Sequence, residues 1–149
     1  MKFAILLTAA LVAAPALAKP APVKIETAWC RPAAAGAPSA GCYLTLTAGQ
    51  ADTLVAVSSP AAERVEVHQM DMAGSVMRMR KVERLPLPAG RAVALQPGGM
   101  HLMLIRPRAA LAAGGATPLT LKFAKAAPVT VRAAVGNAPT AAPEPHHHH

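Results

Sequence analysis

Apolar residues in this chain recur at every second position in short bursts, each cut off by glycine, proline or serine. Side chains of an extended strand point alternately to opposite faces, so a period of two marks a ribbon with one face buried and the other wet. The alternation is clearest in Val65/Val67, Val93/Leu95, Leu102/Leu104 and Leu119/Leu121/Phe123. Read this way, the chain carries brief strands at 23–29, 42–48, 53–58, 64–70, 76–82, 92–96, 101–105, 118–124 and 129–135. Pro86, Pro88, Pro97, Gly98 and Gly99 punctuate the middle, and Gly114-Gly115 marks a later turn. Only 108–113 has the composition of a short helix. Many short strands at regular spacing pack as a sandwich or barrel, so the expected fold is all-β.

The two ends read differently from this body. Met1-Lys2, the apolar run 3–14 and the small-x-small pattern Ala16-Leu17-Ala18 have the layout of a secretory signal peptide, 1–18. The apolar run falls short of the roughly 20 residues that span a bilayer, and no later stretch is long and apolar enough, so stable membrane insertion is not expected. An exported domain at 19–136 follows, placed in the periplasm. The segment 137–149 is rich in alanine and proline, lacks periodicity and ends in four histidines, as a flexible tail would. With aromatics at only 3%, the core must be aliphatic. The net charge of +8 comes from basic residues scattered singly, without a basic run or stacking aromatics, which speaks for a solvated surface and against nucleic acid.

Cys30 and Cys42 are the two cysteines of the chain. Export implies an oxidising compartment, where a disulfide is the ordinary state. The other reading, a thiolate metal or redox pair, suits the spacing less well, because it is much wider than C-x-x-C.

Methionine carries the chemical signal. Met1 opens the leader, and every other methionine falls in the window 68–103, which also holds both histidines outside the tail. The pieces read His68-Gln-Met70-Asp-Met72, then Met77-Arg-Met79, then Met100-His101-Leu-Met103. Thioether sulfur is soft and imidazole borderline, and neither adds charge when bound. That set suits Cu(I), and by the same preference Ag(I), far better than oxygen-seeking Mg²⁺, Ca²⁺ or Mn²⁺. Zinc would recruit cysteine or carboxylate beside histidine. Strand alternation projects His101 and Met103 together, opposite Leu102 and Leu104, and puts His68 opposite Val65 and Val67. Met77 and Met79 alternate with Arg78 and Arg80, so either face is open to them. Methionine is also a common filler of irregular cores, and a plain structural sandwich is the competing reading.

His68, ten residues, Met79, twenty-one more, then His101-x-Met103 matches the H-x10-M-x21-H-x-M signature, and the chain resembles the PCuAC family of periplasmic copper chaperones. Met77-Arg-Met79-Arg, Leu-Pro-Ala-Gly at 87–90, the segment 95–104 and Trp29 near the first strand share the resemblance, which covers roughly 23–135. It implies a cupredoxin-like, Ig-like Greek-key β-sandwich with Cu(I) held by His68, Met79, His101 and Met103. It also implies delivery of copper toward the CuA-carrying subunit of cytochrome c oxidase, alongside Sco-type proteins. Gln69 follows His68 where relatives can carry methionine, with Met70, Met72 and Met77 nearby as auxiliary donors.

The terminal His146, His147, His148 and His149 are either the remnant of a purification tag or a native extension, and adjacent imidazoles on a flexible chain suit Cu(II). Enzyme readings lack support: no Ser-His-Asp or paired-carboxylate signature appears, and acidic residues number only seven. A blue-copper carrier needs a cysteine beside its histidines, and neither cysteine lies in the His/Met window. Between delivering copper and simply sequestering it, the residues do not choose.

Overall fold

The computed structural model describes residues 17–139, and among them only strands form. They are β1 (Val23–Cys30), β2 (Ser39–Ala48), β3 (Asp52–Ser58), β4 (Ala62–Ala73), β5 (Val76–Val82), β6 (Leu85–Leu87), β7 (Ala92–Leu95), β8 (His101–Pro107), β9 (Ala116–Phe123) and β10 (Val129–Val135). The hydrogen-bonded order is β5-β4-β8-β2-β1-β10-β9-β3-β6, with β7 paired to β2. β3 returns to β4 at Val57–Val65, so the sheet curls until its ends touch. The all-β sandwich is thus closed like a flattened barrel. β1 and β10 pair in parallel, while β2 pairs antiparallel with both β1 and β8.

The closed interior is filled by Leu44, Leu46, Leu54, Leu87, Leu102, Leu104, Leu119 and Leu121, all essentially inaccessible. Burying each such side chain contributes about 1.5–3 kcal/mol before the entropy of ordering is set against it. Phe123 is the aromatic of this cluster. Trp29 and Tyr43 are buried too, but outside it.

Two local staples hold the frame. Cys30 and Cys42 face one another directly across β1 and β2 and are joined by a disulfide. The eleven-residue loop it closes corresponds to about 2–3 kcal/mol on a chain-entropy argument. Asp52, at the start of β3, accepts hydrogen bonds from the backbone N–H groups of Thr53 (2.7 Å), Lys125 (3.0 Å) and Ala126 (2.8 Å). It thereby ties β3 to the turn after β9. Burial works to raise its carboxyl pKa, but the three N–H donors outweigh it and hold the value below the usual carboxylate range.

Two expectations differ from what forms. Residues 108–113 make no helix: Leu111 is drawn into an isolated bridge with Ala33 and is buried there. The burial of one leucine outweighs the weak helix propensity of a six-residue alanine-rich run, too short to be stable alone. An additional strand, β6, pairs Leu85 to Leu87 with β3 around Pro86. It ends the hydrogen-bonded order, where a residue lacking an N–H is tolerated.

Candidate metal centre

β4 and β8 run antiparallel with His68 directly opposite His101. Because opposed residues share a face, the pair lies on the outer surface while Val65, Val67, Leu102 and Leu104 fill the interior. On the same outer face, β5 sets Met79 opposite Met70 and Lys81 opposite His68. Met103 lies between Glu66 on one side and Gly41 of β2 on the other. Three chain segments therefore bring two imidazoles and several thioethers to one patch of sheet.

Met70, Met79, His101 and Met103 line a shared depression of about 320 Å³ with Tyr43 and Arg31. His68 sits beside it, its ring 6.0 Å from that of His101 and nearly edge-on. Met77 and Met79, open to either face on sequence grounds, lie on the histidine side and are exposed. His101, by contrast, is only 7% exposed, deeper than a simple outward-facing strand residue. Its cover is aromatic: Tyr43 stands 6.5 Å away, centre to centre, and Trp29 packs on Tyr43 at 4.5 Å. Arg31 lies 5.7 Å over the Tyr43 ring, within the range of a cation–π contact.

The backbone arranges this cover. A bulge between Glu26 and Trp29 shifts the β1–β2 register, with Thr27 at φ 55°, so that Trp29 comes opposite Tyr43. Gly41 has no side chain to lift the tyrosine; a Cβ there would stand 2.9 Å from the Tyr43 hydroxyl.

The histidines are oriented by their second nitrogens. His101 Nδ1 lies 3.1 Å from the Gly99 carbonyl. A ring donating from Nδ1 keeps its lone pair on Nε2, free for a metal. His68 Nε2 lies 2.8 Å from Glu66 Oε2, which leaves the lone pair on Nδ1 when Nε2 carries the hydrogen. That Nδ1 is buried and has no hydrogen-bond partner among the described residues. An unsatisfied buried nitrogen costs about 1–3 kcal/mol, a cost that a bound cation removes. Glu66 is itself held: its pKa is lowered first by the His68 hydrogen bond and then by Arg64, whose Nε lies 2.9 Å from Oε1.

The donor chemistry is correspondingly soft. Among the described residues no group of three or more His, Cys, Asp or Glu is gathered to hold a metal. Cys30 and Cys42 are bonded to each other and fully buried. Cys42 is paired with Leu102, on the opposite side of the sheet from His101 and Met103. What the patch offers is imidazole nitrogen and thioether sulfur. Residues 146–149 lie outside the described residues, as does most of the expected leader.

Sequence reasoning missed the cover of Trp29, Tyr43 and Arg31 and the Glu66 support. One signal was available: the chain has a single Trp and a single Tyr, and both stand here rather than in the aliphatic core.

Comparison with solved structures returns proteins that share this all-β fold. A copper-bound PCuAC domain from PmoF2 is 31% identical, with TM-score 0.63, over 76% of this chain and 91% of that one. An apo PCuAC domain from PmoF1 is 28% identical, with TM-score 0.63, over 78% and 94% respectively. The Cu(I) form of DR1885 from Deinococcus radiodurans is 29% identical, with TM-score 0.59, over 82% of each chain. The chain belongs to the LpqE-like family, described as "Putative lipoprotein LpqE-like", which it matches over residues 23–135. A protein of Leifsonia xyli subsp. xyli named "Putative lipoprotein Lxx21020" is 29% identical over 102 residues, 68% of this chain, and the chain spans 61% of that relative's length.

Proposed function

We propose that this protein is an extracytoplasmic carrier of Cu(I), holding the ion with His68, Met79, His101 and Met103. The observation that carries the reading is the cross-strand meeting of His68 with His101 beside Met79 and Met103, with one imidazole nitrogen buried and unpartnered. Copper is cargo here, not a catalytic cofactor, and the protein is not an enzyme. Two imidazoles and two thioethers bind a soft monovalent ion without adding charge, and thioethers exchange readily, so the ion can be released. Met70, opposite Met79 and lining the same depression, is a ready alternative sulfur.

Copper bound by the PCuAC neighbours supports this reading. The lipoprotein description of the family and of the Leifsonia relative supports a place outside the cytoplasm; the periplasm, behind a cleaved leader, is the compartment proposed from the sequence of residues 1–18. Delivery toward the CuA centre of cytochrome c oxidase, with Sco-type proteins as partners, follows from the resemblance; a deletion strain with normal oxidase activity at low copper would leave only sequestration. The site itself is tested by Cu(I) titration against a competing chelator together with an absorption-edge spectrum. The expected result is one tightly bound Cu(I) with mixed nitrogen and sulfur ligation, lost in a His101→Ala, Met103→Ala variant. Unchanged binding in that variant would end the proposal. The terminal histidines are assigned to Cu(II), and undiminished Cu(II) binding by a chain ending at Pro145 would end that assignment.

A further inference from the structure

Beyond the residues just assigned, the β4–β5 hairpin continues outward. The β4–β8 pairing stops at His68–His101, whereas the β4–β5 pairing runs on through Ala73–Val76. From Gln69 to Ala73, β4 therefore has β5 as its paired neighbour, and this arm projects past the closed sheet. Such an arm has no core to fill. Yet one face carries Met70, Met72, Met77 and Met79, while the other carries Gln69, Asp71, Arg78 and Arg80. The polar face accounts for itself, since Arg80 Nε bonds Asp71 at 3.0 Å and its guanidinium reaches Gln69 at 3.3 Å. The methionine face does not: Met72 and Met77 are 64% and 60% exposed. Methionine as a gap filler explains a buried thioether, not two in water at the tip of an arm.

Register gives these sulfurs a geometry. Ala73 and Val76 flank the two-residue turn Gly74-Ser75, and Gly74 at φ 66° supplies the left-handed first position that a type II′ hairpin requires. The residues closing such a turn form a hydrogen-bonded pair, so the next pair, Met72–Met77, is non-hydrogen-bonded, and so is Met70–Met79 two residues further in. Those are the positions where opposed side chains approach most closely, with Cα atoms about 4.5 Å apart. Each rung presents two neutral thioethers side by side. Successive rungs stand about 7 Å apart along the strand, and the inner one opens into the depression with His101 and Met103.

From this arrangement we infer that Met72 and Met77 form a second, outer site for a soft monovalent ion, Cu(I) or Ag(I), separate from the histidine-containing site. Two thioethers with no carboxylate on their face of the arm, where Met70, Met72, Met77 and Met79 stand, retain soft ions and ignore Mg²⁺, Ca²⁺ and Zn²⁺. With fewer donors and no imidazole, the outer site is the weaker one, so it fills second at equilibrium. In transfer it is the first met from solvent. The ion passes from Met72–Met77 to Met70–Met79 and on to His101 by exchange of neutral ligands, with no electron or proton moved. The direction of passage rests on the Cu(I) carrier reading; occupancy of the outer pair does not.

The test uses the full chain labelled with ¹³C at the methionine methyl groups and titrated with Ag(I), which has the same donor preference and no redox chemistry. The first portion of Ag(I) is expected to shift the Met79 and Met103 methyls, and a later portion those of Met72 and Met77. In a Met72→Leu, Met77→Leu variant the later event disappears while the Met79 and Met103 shifts persist, and loading of Cu(I) from a chelator slows. In a His101→Ala, Met103→Leu variant the Met72 and Met77 shifts remain. Unmoved Met72 and Met77 methyls in the native chain would overturn the outer site, and so would their dependence on His101 and Met103. Movement of Met72 and Met77 without Met79 and Met103 would instead sink the inner-site reading and leave the outer pair standing.

Discussion

β4 and β8 each carry two proteins' worth of chemistry on their two faces, one residue out of step. Val65, Val67, Leu102 and Leu104 point inward and are sealed; Glu66, His68, Met70, His101 and Met103 point outward into a polar, aromatic-roofed patch. On the inner face shape and volume matter, and any well-fitting aliphatic serves. On the outer face, under the proposed Cu(I) carrier reading, atoms matter, since replacing sulfur with carbon leaves the volume nearly unchanged and removes the thioether. The two faces should therefore fail in different ways.

The sharpest way to break that contrast is a crossed pair of neighbours on β8. Leu104→Ala removes a fully buried side chain from the centre of the barrel. It should cost about 3–4 kcal/mol in chemical unfolding, with Cu(I) affinity of the folded fraction retained. Met103→Leu should do the reverse. Stability should move by less than about 1.5 kcal/mol, while Cu(I) binding falls by about a hundredfold, or roughly 2.7 kcal/mol. Equal loss of affinity in both variants would mean that the outer face is merely packing and the donor assignment is wrong.

The same contrast shows what could be read before any coordinates. The pairing of His101 with Met103 and their separation from Leu102 and Leu104 follow from strand alternation alone. So does the aliphatic character of the interior. The facing of Met77 and Met79 was not legible, because an arm beyond the barrel has no inside: Met and Arg alternate there with both faces wet, and periodicity carries no burial signal. The depth of His101 was also hidden, since it depends on Trp29 and Tyr43, which reach it from strands distant in sequence. Leu111 illustrates the limit from the other side, where a long-range bridge to Ala33 decides the conformation of an alanine-rich run.

Asp52 sharpens the comparison by giving the frame a polar staple that shares no residue with the histidine–methionine patch. Asp52→Asn places an amide where a carboxylate oxygen now accepts the Ala126 N–H at 2.8 Å, so a buried donor loses its partner. The expected loss is about 2–3 kcal/mol at neutral pH, with metal binding unaffected. The pH dependence has a definite sign. The folded-state pKa of Asp52 is lowered, so its contribution is fully present above the unfolded carboxyl value of about 3.9. It is lost as the pH falls through the lower folded value. The native protein should therefore lose stability below about pH 4 more steeply than the Asn variant, measured by urea midpoints across the acid range. Parallel curves would show that the three N–H donors contribute nothing specific.

The smallest effect tests the link between the frame and the patch. Thr27 holds φ 55° within the bulge that brings Trp29 opposite Tyr43, a left-handed conformation costly for a β-branched residue. Thr27→Gly keeps the bulge and removes the strain, so it should stabilise the fold by about 1 kcal/mol once the greater freedom of glycine in the unfolded chain is set against the relief. Cu(I) affinity should stay the same, because the register that roofs His101 is unchanged. A destabilised variant would show that Thr27 is held by contacts that more than offset its backbone strain. A stable variant with weakened Cu(I) binding and altered Trp29 fluorescence would show instead that the strain itself keeps the aromatic roof over His101. The two faces of the sheet would then be coupled through β1 rather than independent.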